Sequence, residues 1–580
     1  MNGFNSFLKY GADNAYGGLF DPDSARGRPK NTESKLGDYN YADGFSQYEP
    51  ASGLDSSAIV DELATLLTSG RLSRETRKLL KSVFEEYSGA EAYINVQQII
   101  AMSPEFNTNG LARSTGTIRP TVERGLPSER PYKAVVQIHL AGGWDSFNVL
   151  VPAECQGKNA AGETVDKQYT DVRGELAIRM HQTDLRIDVD KAQGQPCRKF
   201  AIHRGFPIAK ELWDDGSLIF LANTGVIDSA EMTKQTYNTV TVSGLFSHSD
   251  MQEAAERVDP FSIDAGTGIL GRMSTVLEEE GYRTATISID SPSSATSGST
   301  VLPIVASRDG ATKFNERPRK ERKFQLQEHA AVVNAETDTY SNLFGKMWSA
   351  EYSAGVDEAG FFSEALDKTA LQKRGSGKVA HQMEMVARLM QTKDDRGVDR
   401  DLFFIKSGFW DHHANLVPAL ENGLTELDTA LRNFVDELKA QDAWDDTIIV
   451  VTSDFGRSLT LNGREGSDHA WGGHYMLMGG GIDGGKILGQ YPDDLTEAGP
   501  LNIGRGRIMP TMSWDAVWNG VSEWAGVTEN EMERVLPNLK NSYGPGFASP
   551  LKQSDLFRRQ NGGGNKPSKK NVRGADVFGK

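Results

Sequence analysis

Residues 408–416 read Gly-Phe-Trp-Asp-His-His-Ala-Asn-Leu, so Asp411, His412 and His413 stand side by side in a chain with only 10 histidines among 580 residues. Carboxylate and imidazole donors in this proximity are the side chains that bind divalent cations. Similar groups recur along the chain: Asp145 in "LAGGWDSF", Ser247 and His248 in "LFSHSDMQ", Asp454 and Arg457 in "SDFGRS", His469 and His474 in "GSDHAWGGH". Asp145, Asp411, His413, Asp454 and His469 together supply ligands suited to Zn, Mn, Mg or Ca. Ser247 adds a hydroxyl that a metal can activate as a nucleophile. Arg457 adds a cation able to hold an anion, so Ser247, His248 and Arg457 form the catalytic set. These are the parts needed to hydrolyse a phosphate or sulfate ester, with a small anionic ester as substrate. Each also has an ordinary explanation: Asp145 and Ser247 as caps of a turn or helix, His474 as a half-buried histidine. Within the opening stretch, Asp411 and His413 can turn toward one point if the backbone is extended, while His412 is directed elsewhere.

What must position them is a series of strand-like runs. "KAVVQIHL" (133–140), "SLIFLA" (217–222), "TATISI" (284–289), "DLFFIK" (401–406), "TIIVVTS" (447–453) and "YMLM" (475–478) are short and apolar. A helix over about 378–391 precedes the fourth. A longer one follows it, with Leu420, Leu424, Leu427, Leu431, Phe434 and Leu438 in steps of four and three. A late helix spans 509–526. Apolar strands separated by helices predict an α/β fold with a doubly wound, mainly parallel sheet flanked by helices. The polar groups above fall just after or just before these strands, where open α/β sheets gather ligands. "RGSGK" (374–378) lacks the Gly-x-x-x-x-Gly-Lys-Ser/Thr pattern of a phosphate-binding loop and is set aside.

Outside that core, residues 1–57 read as loop or disorder and 58–112 as a small helical segment built from "IVDELATLL", "RETRKLLKSVFEEY" and "AYINVQQIIAM". A linker at 113–132 leads into the main domain, 133–545, and 546–580 forms a basic, Gly-rich, disordered tail. "NERPRKERK" (315–323) reads as an exposed loop. The net charge of −16 speaks against nucleic-acid binding through bulk electrostatics. No stretch approaches the ~18 apolar residues of a membrane span. The first residues carry no charged-then-apolar signal region, which reads as a cytosolic chain or a start that is not the original one. Cys155 and Cys197 lie in one polar insertion, open to pairing in an exported protein or to free thiols in a reducing compartment.

The motifs "LAGGWDSFNVLVP", "FAIHRGFPIAKELWDDGSLIFLANTGV", "LFSHSDMQ", "GFWDHHANL", "VVTSDFGRSLTLNG" and "GSDHAWGGHYMLMGGGIDGGKILGQYP", in this order over roughly 133–530, resemble the bacterial family known as domain of unknown function 1501. That family is placed in the alkaline phosphatase and sulfatase superfamily. The resemblance implies an alkaline-phosphatase-like sheet, two metals and a Ser, Thr or modified Cys nucleophile. Asp145 would ligate one metal beside Ser247, the nucleophile at a helix start. Asp411 and His413 would bind the other, completed by His469, whose spacing to Gly479 and Gly480 is similar to that around the last metal histidine in alkaline phosphatases. Asp454 matches the acid of a Ser/Ala-Asp-His segment, but the next residue is Phe455, which cannot ligate. The resemblance therefore leaves one metal site short of a ligand, to be replaced by His248 or His474 or left empty. The same departure motivates the alternative of a catalytically degenerate, secreted binding or structural protein that keeps the fold. Cys155 and Cys197 lack the neighbours of a formylglycine sulfatase signature. Upstream, "IVDELATLLTSGRLSRETR" and "INVQQIIAMSPEFNT" resemble the C-terminal end of the domain of unknown function 1800 family. Relatives with a twin-arginine leader imply an extracytoplasmic location.

Overall fold

The computed structural model describes residues 35–36, 39–40, 53–110, 112–120, 130–178, 185–241, 243–261, 266–299, 303–308 and 326–558. The loop at 315–323, most of 1–57 and the tail from 559 onward lie outside the described residues. Two compact units are present, Met1–Leu126 with Asp309–Thr369, and Pro127–Arg308 with Ala370–Lys580. Among the described residues no helix is long and apolar enough to cross a membrane.

The first unit is helical. Helices α1 (Ser56–Thr68), α2 (Arg74–Glu86) and α3 (Ala90–Ala101) coincide closely with the three amphipathic runs. Asp55 and Ser73 cap the first two, their side chains accepting from the amides of Ala58 and Thr76. Val60, Leu63, Leu80, Val83, Val96 and Ile99 form one buried cluster, and Ala330, Val333 and Tyr352 join it. Those last three come from helices Leu326–Val333 and Leu343–Asp367. A segment read as part of a continuous 133–545 domain is thus recruited to the helical unit. Three short helices with one apolar stripe each cannot enclose a core, and the later helices close it.

The second unit carries the candidate chemistry. Its strands, in chain order, are β1 (Lys133–Leu140), β2 (Leu150–Cys155), β3 (Arg186–Asp188), β4 (Cys197–Ile202), β5 (Leu218–Gly225), β6 (Thr284–Ile289), β7 (Ile304–Ala306), β8 (Arg400–Ser407), β9 (Thr447–Ser453), β10 (Gly473–Met478), β11 (Lys486–Gly489) and β12 (Met512–Ser513). A nine-stranded sheet has the order β11-β5-β10-β9-β1-β8-β6-β7, with β12 also on β5. All its pairings are parallel except those of β10, which runs against both β9 and β5. This is the expected mainly parallel sheet flanked by helices. The central strands are buried on both faces, in keeping with their mostly apolar composition. Helices α4 (Val165–Arg173), α5 (His248–Arg257), α6 (Lys378–Gln391), α7 (Leu416–Ala440) and α8 (Trp514–Ala525) belong to this unit. The Leu/Phe stripe of α7 is buried throughout.

Three differences from the sequence reading stand out. The insertion around the two cysteines is an antiparallel sheet of order β2-β4-β3, in which Cys155 and Cys197 are direct cross-strand partners and are disulfide-bonded. The late helix starts at Trp514 rather than 509, because Met512 and Ser513 pair with β5 and Ser513 then caps the helix through the Ala516 amide. The segment 546–558, read as disordered, is partly anchored: Leu556 and Phe557 are buried, and the Phe557 ring stacks on Trp524 at 4.8 Å.

Candidate metal centre

Strands β8 and β9 flank β1 in parallel register, and Ser407, Ser453 and Leu140 end at the same level. The segments that follow, 141–145, 408–413 and 454–457, therefore emerge side by side. Strand β10 runs the other way, so the residues that precede it, including His469, reach the same edge. A Gly-Gly turn lets the first of these loops pass the second. At Gly142 (φ +118°) a Cβ would strike the backbone of Trp410 and Asp411, and at Gly143 (φ +79°) it would strike the Phe455 ring.

Four side chains converge at this edge. The ligand atoms of His248, Asp411 and His469 all lie within 4.8 Å of one another. His413 Nε2 is 2.8 Å from His469 Nε2 and 3.1 Å from Asp411 Oδ1. His469 Nε2 is 3.3 Å from Asp411 Oδ1, and His248 Nε2 is 3.4 Å from Asp411 Oδ2. The hydrogen bonds behind the rings decide which nitrogen is free. His469 Nδ1 lies 2.7 Å from the Phe246 carbonyl and His248 Nδ1 lies 2.8 Å from Asp454 Oδ2. Both partners only accept, so each Nδ1 carries the proton and each Nε2 presents a lone pair to the cluster. Two imidazole nitrogens facing each other at 2.8 Å need a proton or a cation between them. Ligands ~2.0–2.1 Å from a tetrahedral ion stand roughly 3.3 Å apart, close to the 2.8–3.4 Å spacing of these pairs. The donor set fits a divalent cation.

The cluster is open in front and closed behind. The side chains of Asp411 and His413 are 43 % and 42 % exposed, whereas Asp454 is 1 % and Arg457 0 % exposed. Burial would raise the Asp411 pKa, but the Arg457 guanidinium outweighs it and holds the carboxyl below its usual value. Burial likewise opposes ionisation of Asp454; hydrogen bonds from His139, His248 and the Gly142 amide prevail and bring it down to about 2. Burial lowers the His469 pKa, keeping its ring neutral and able to ligate.

Several expected roles are not what the structure shows. Asp145 is fully buried and ion-paired with Arg173 of α4; it stands at the N-cap position of the short turn Ser146–Asn148, but its side chain makes no capping bond. Arg457 does not face solvent: its nitrogens donate to the Gly143, Ser467 and Gly142 carbonyls and to Asp411, leaving it a brace rather than an anion holder. Ser247 is the N-cap residue of α5, yet its side chain makes no capping bond and instead shares a hydrogen bond with Ser249 at 3.0 Å. Asp454 has both oxygens committed to hydrogen bonds. His474 is fully buried rather than half-buried. It sits between Phe147 and Tyr491 with Nδ1 accepting from the Asn223 amide, so of the two candidate replacements only His248 joins the cluster. His412 is buried beside Trp410 and is not among the clustered ligand groups.

A family model described as protein of unknown function (DUF1501) matches residues 132–500. The chain belongs to this family. No curated protein matches the sequence. Among solved structures, the PsFucS1 sulfatase from Pseudoalteromonas sp. is similar at 12 % identity over 74 % of each chain, with a TM-score of 0.30. The C-terminal periplasmic domain of EcEptC from Escherichia coli is similar at 9 % identity over 72 % of this chain and 90 % of that one (TM-score 0.28). A protein in the alkaline phosphatase superfamily from Vibrio parahaemolyticus is similar at 12 % identity over 72 % and 71 % (TM-score 0.23). What the DUF1501 site of this chain does rests on its own side chains.

Two of those side chains escape the motif reading. His139 lies on the central strand β1 and is wholly buried, with Nε2 2.8 Å from Asp454 Oδ1 and Nδ1 3.1 Å from Thr452 Oγ1. Its signal is legible afterwards: Gln137 and His139 are polar residues at alternate positions of an otherwise apolar strand, and a buried imidazole there needs partners. Arg173, 28 residues after its partner Asp145, carries no comparable signal.

Proposed function

We propose that this chain is a metal-dependent hydrolase of phosphate or sulfate esters. The observation that carries the reading is the convergence of His248, Asp411, His413 and His469 at a solvent-facing edge, with the Nε2 atoms of His413 and His469 2.8 Å apart. When bound, a divalent cation there supplies charge neutralisation for the ester's oxygens. Asp411 and the three histidines hold that cation, and Asp454 and Arg457 keep them in place from behind. Ser247 is the candidate nucleophile. Its hydroxyl stands at the N-terminus of α5, unspent on capping, where the helix favours negative charge. Attack by the Ser247 oxygen on phosphorus or sulfur forms a seryl ester and breaks the bond to the alcohol, which leaves with a proton. Water then hydrolyses the seryl ester and regenerates the hydroxyl.

A second reading, a fold-retaining binding or structural protein without turnover, is favoured by the Ser247–Ser249 pairing and by the ring of Phe455 where the resemblance expects a ligand. Purified protein incubated separately with Zn, Mn, Mg and Ca, desalted and assayed on aryl phosphates, phosphodiesters and aryl sulfates decides between them. Retained metal with turnover that Ser247→Ala abolishes supports the hydrolase. Retained metal with no turnover supports the second reading, and a chain that retains no ion ends the first.

A further inference from the structure

On the reading that Asp411 and its histidines hold a metal, we infer that the centre takes one transition-metal cation rather than two, and that Asp454, backed by His139, aims His248 and is not itself a ligand. Asp454 Oδ1 is 2.8 Å from His139 Nε2; Oδ2 is 2.8 Å from His248 Nδ1 and accepts from the Gly142 amide at 3.1 Å. Three of its roughly four acceptor positions are filled and its side chain is 1 % exposed, so it is committed to its neighbours rather than open to an ion. The other carboxylate a second ion would need, Asp145, is buried with Oδ2 against the Arg173 guanidinium, whose charge offsets its own and disfavours a cation at the free Oδ1. Against the cluster, Phe455 puts an apolar ring 5.1 Å from His248 and 4.7 Å from His469. Among the described residues, His248, Asp411 and His469 are the one group of three or more donors close enough to share an ion.

Released from ligation, Asp454 has a different use. A carboxylate on the far nitrogen of a ligating histidine sets its tautomer, orients the ring and makes the near nitrogen a better donor. Asp454 does this for His248, as the Phe246 carbonyl does for His469. His139 in turn pins Asp454. Thr452 Oγ1 stands at Nδ1, so the protonated Nε2 donates to the carboxylate. The chain His139–Asp454–His248 thus runs from the middle of the sheet to the exposed ligand. A donor set of three imidazoles and one carboxylate selects Zn or another transition metal over Mg or Ca, which prefer oxygen.

The test uses the full chain loaded with Zn or with Co(II), desalted, with metal counted per chain by mass spectrometry and affinity measured by chelator competition. The wild type should saturate at one ion per chain. His139→Gln should still saturate at one, with affinity weakened roughly 10- to 100-fold, a shifted Co(II) absorption spectrum, and an apo melting midpoint near that of wild type. Should His139→Gln not fold, Asp454→Asn carries the same expectation, and the wild-type count stands independently. Two ions per chain, or a His139→Gln protein with unchanged affinity and spectrum, overturns the inference while leaving a metal centre in place. A wild type that retains no ion overturns both.

Discussion

At Asp411 the carboxylate serves two masters, the buried Arg457 behind it and the three histidines around it. Asp411→Asn keeps an acceptor for Arg457 but removes the charge that attracts a cation. It should lower metal content and abolish the metal-dependent rise in melting temperature. His413→Ala should do the same. His412→Thr should behave differently, because its ring is buried beside Trp410 and is not among the clustered ligand groups. It should cost roughly 1–2 kcal/mol of apo stability through lost packing and leave metal content and the metal-dependent increment intact. A His412→Thr protein without metal beside a His413→Ala protein that keeps it would shift the site by one residue. His474 titrates for a separate reason. Burial holds its pKa down to about 3, whereas in the unfolded chain it takes a proton near pH ~6.5. The unfolded state therefore binds more protons below that pH, and the contribution of His474 to stability is complete above ~6.5 and is lost as pH falls toward 3. At pH 4.5 the loss is roughly 2–3 kcal/mol. Urea denaturation at pH 7.5 and 4.5 should show that much less pH dependence in His474→Leu; an unchanged slope would mean another group governs acid sensitivity.

At the scale of elements, the centre exists because parallel strands end level and one antiparallel strand begins there. The Gly142–Gly143 turn lets the β1 loop pass beneath the Asp411 loop, and Gly142→Ala tests that arrangement. With φ +118° and a Cβ directed into the Trp410–Asp411 backbone, the variant should lose ~2 kcal/mol or more of stability and bind metal less tightly. Gly408→Ala, in open space on the same loop, should change neither by more than ~0.5 kcal/mol. Urea midpoints and metal titrations on the pair distinguish loop crowding from a general intolerance of change. The central strands were legible in sequence because burial on both faces leaves a mostly apolar run. The β2-β4-β3 sheet was not, since "LVPAEC", "RID" and "CRKFAI" mix polar and apolar residues and pair only through long-range register.

At the scale of the whole molecule, the helical unit is assembled from two stretches separated by most of the α/β unit's first half. A fragment of residues 53–126 lacks Ala330, Val333 and Tyr352, which complete its core. Such a fragment should be poorly helical and melt without cooperativity by circular dichroism, and linking residues 326–369 to it should restore a cooperative transition. A sharp, reversible melt of 53–126 alone would show the N-terminal helices to be self-sufficient. Periodicity and composition were enough, by themselves, to determine the helices, the central strands and the mainly parallel class, because local patterns of burial repeat every two or every three to four residues. The motifs also sufficed to bring Asp411, His413 and His469 under suspicion together. Only the tertiary structure decided the rest: that Arg457 pairs with Asp411 and Asp145 with Arg173, that His139 stands behind Asp454, that His248 and not His474 faces the cluster, and that residues 326–369 leave the sheet unit. Each of these depends on a partner tens to hundreds of residues away, and a side chain's role at such a site is set by what burial leaves it to bond with, which no local pattern records.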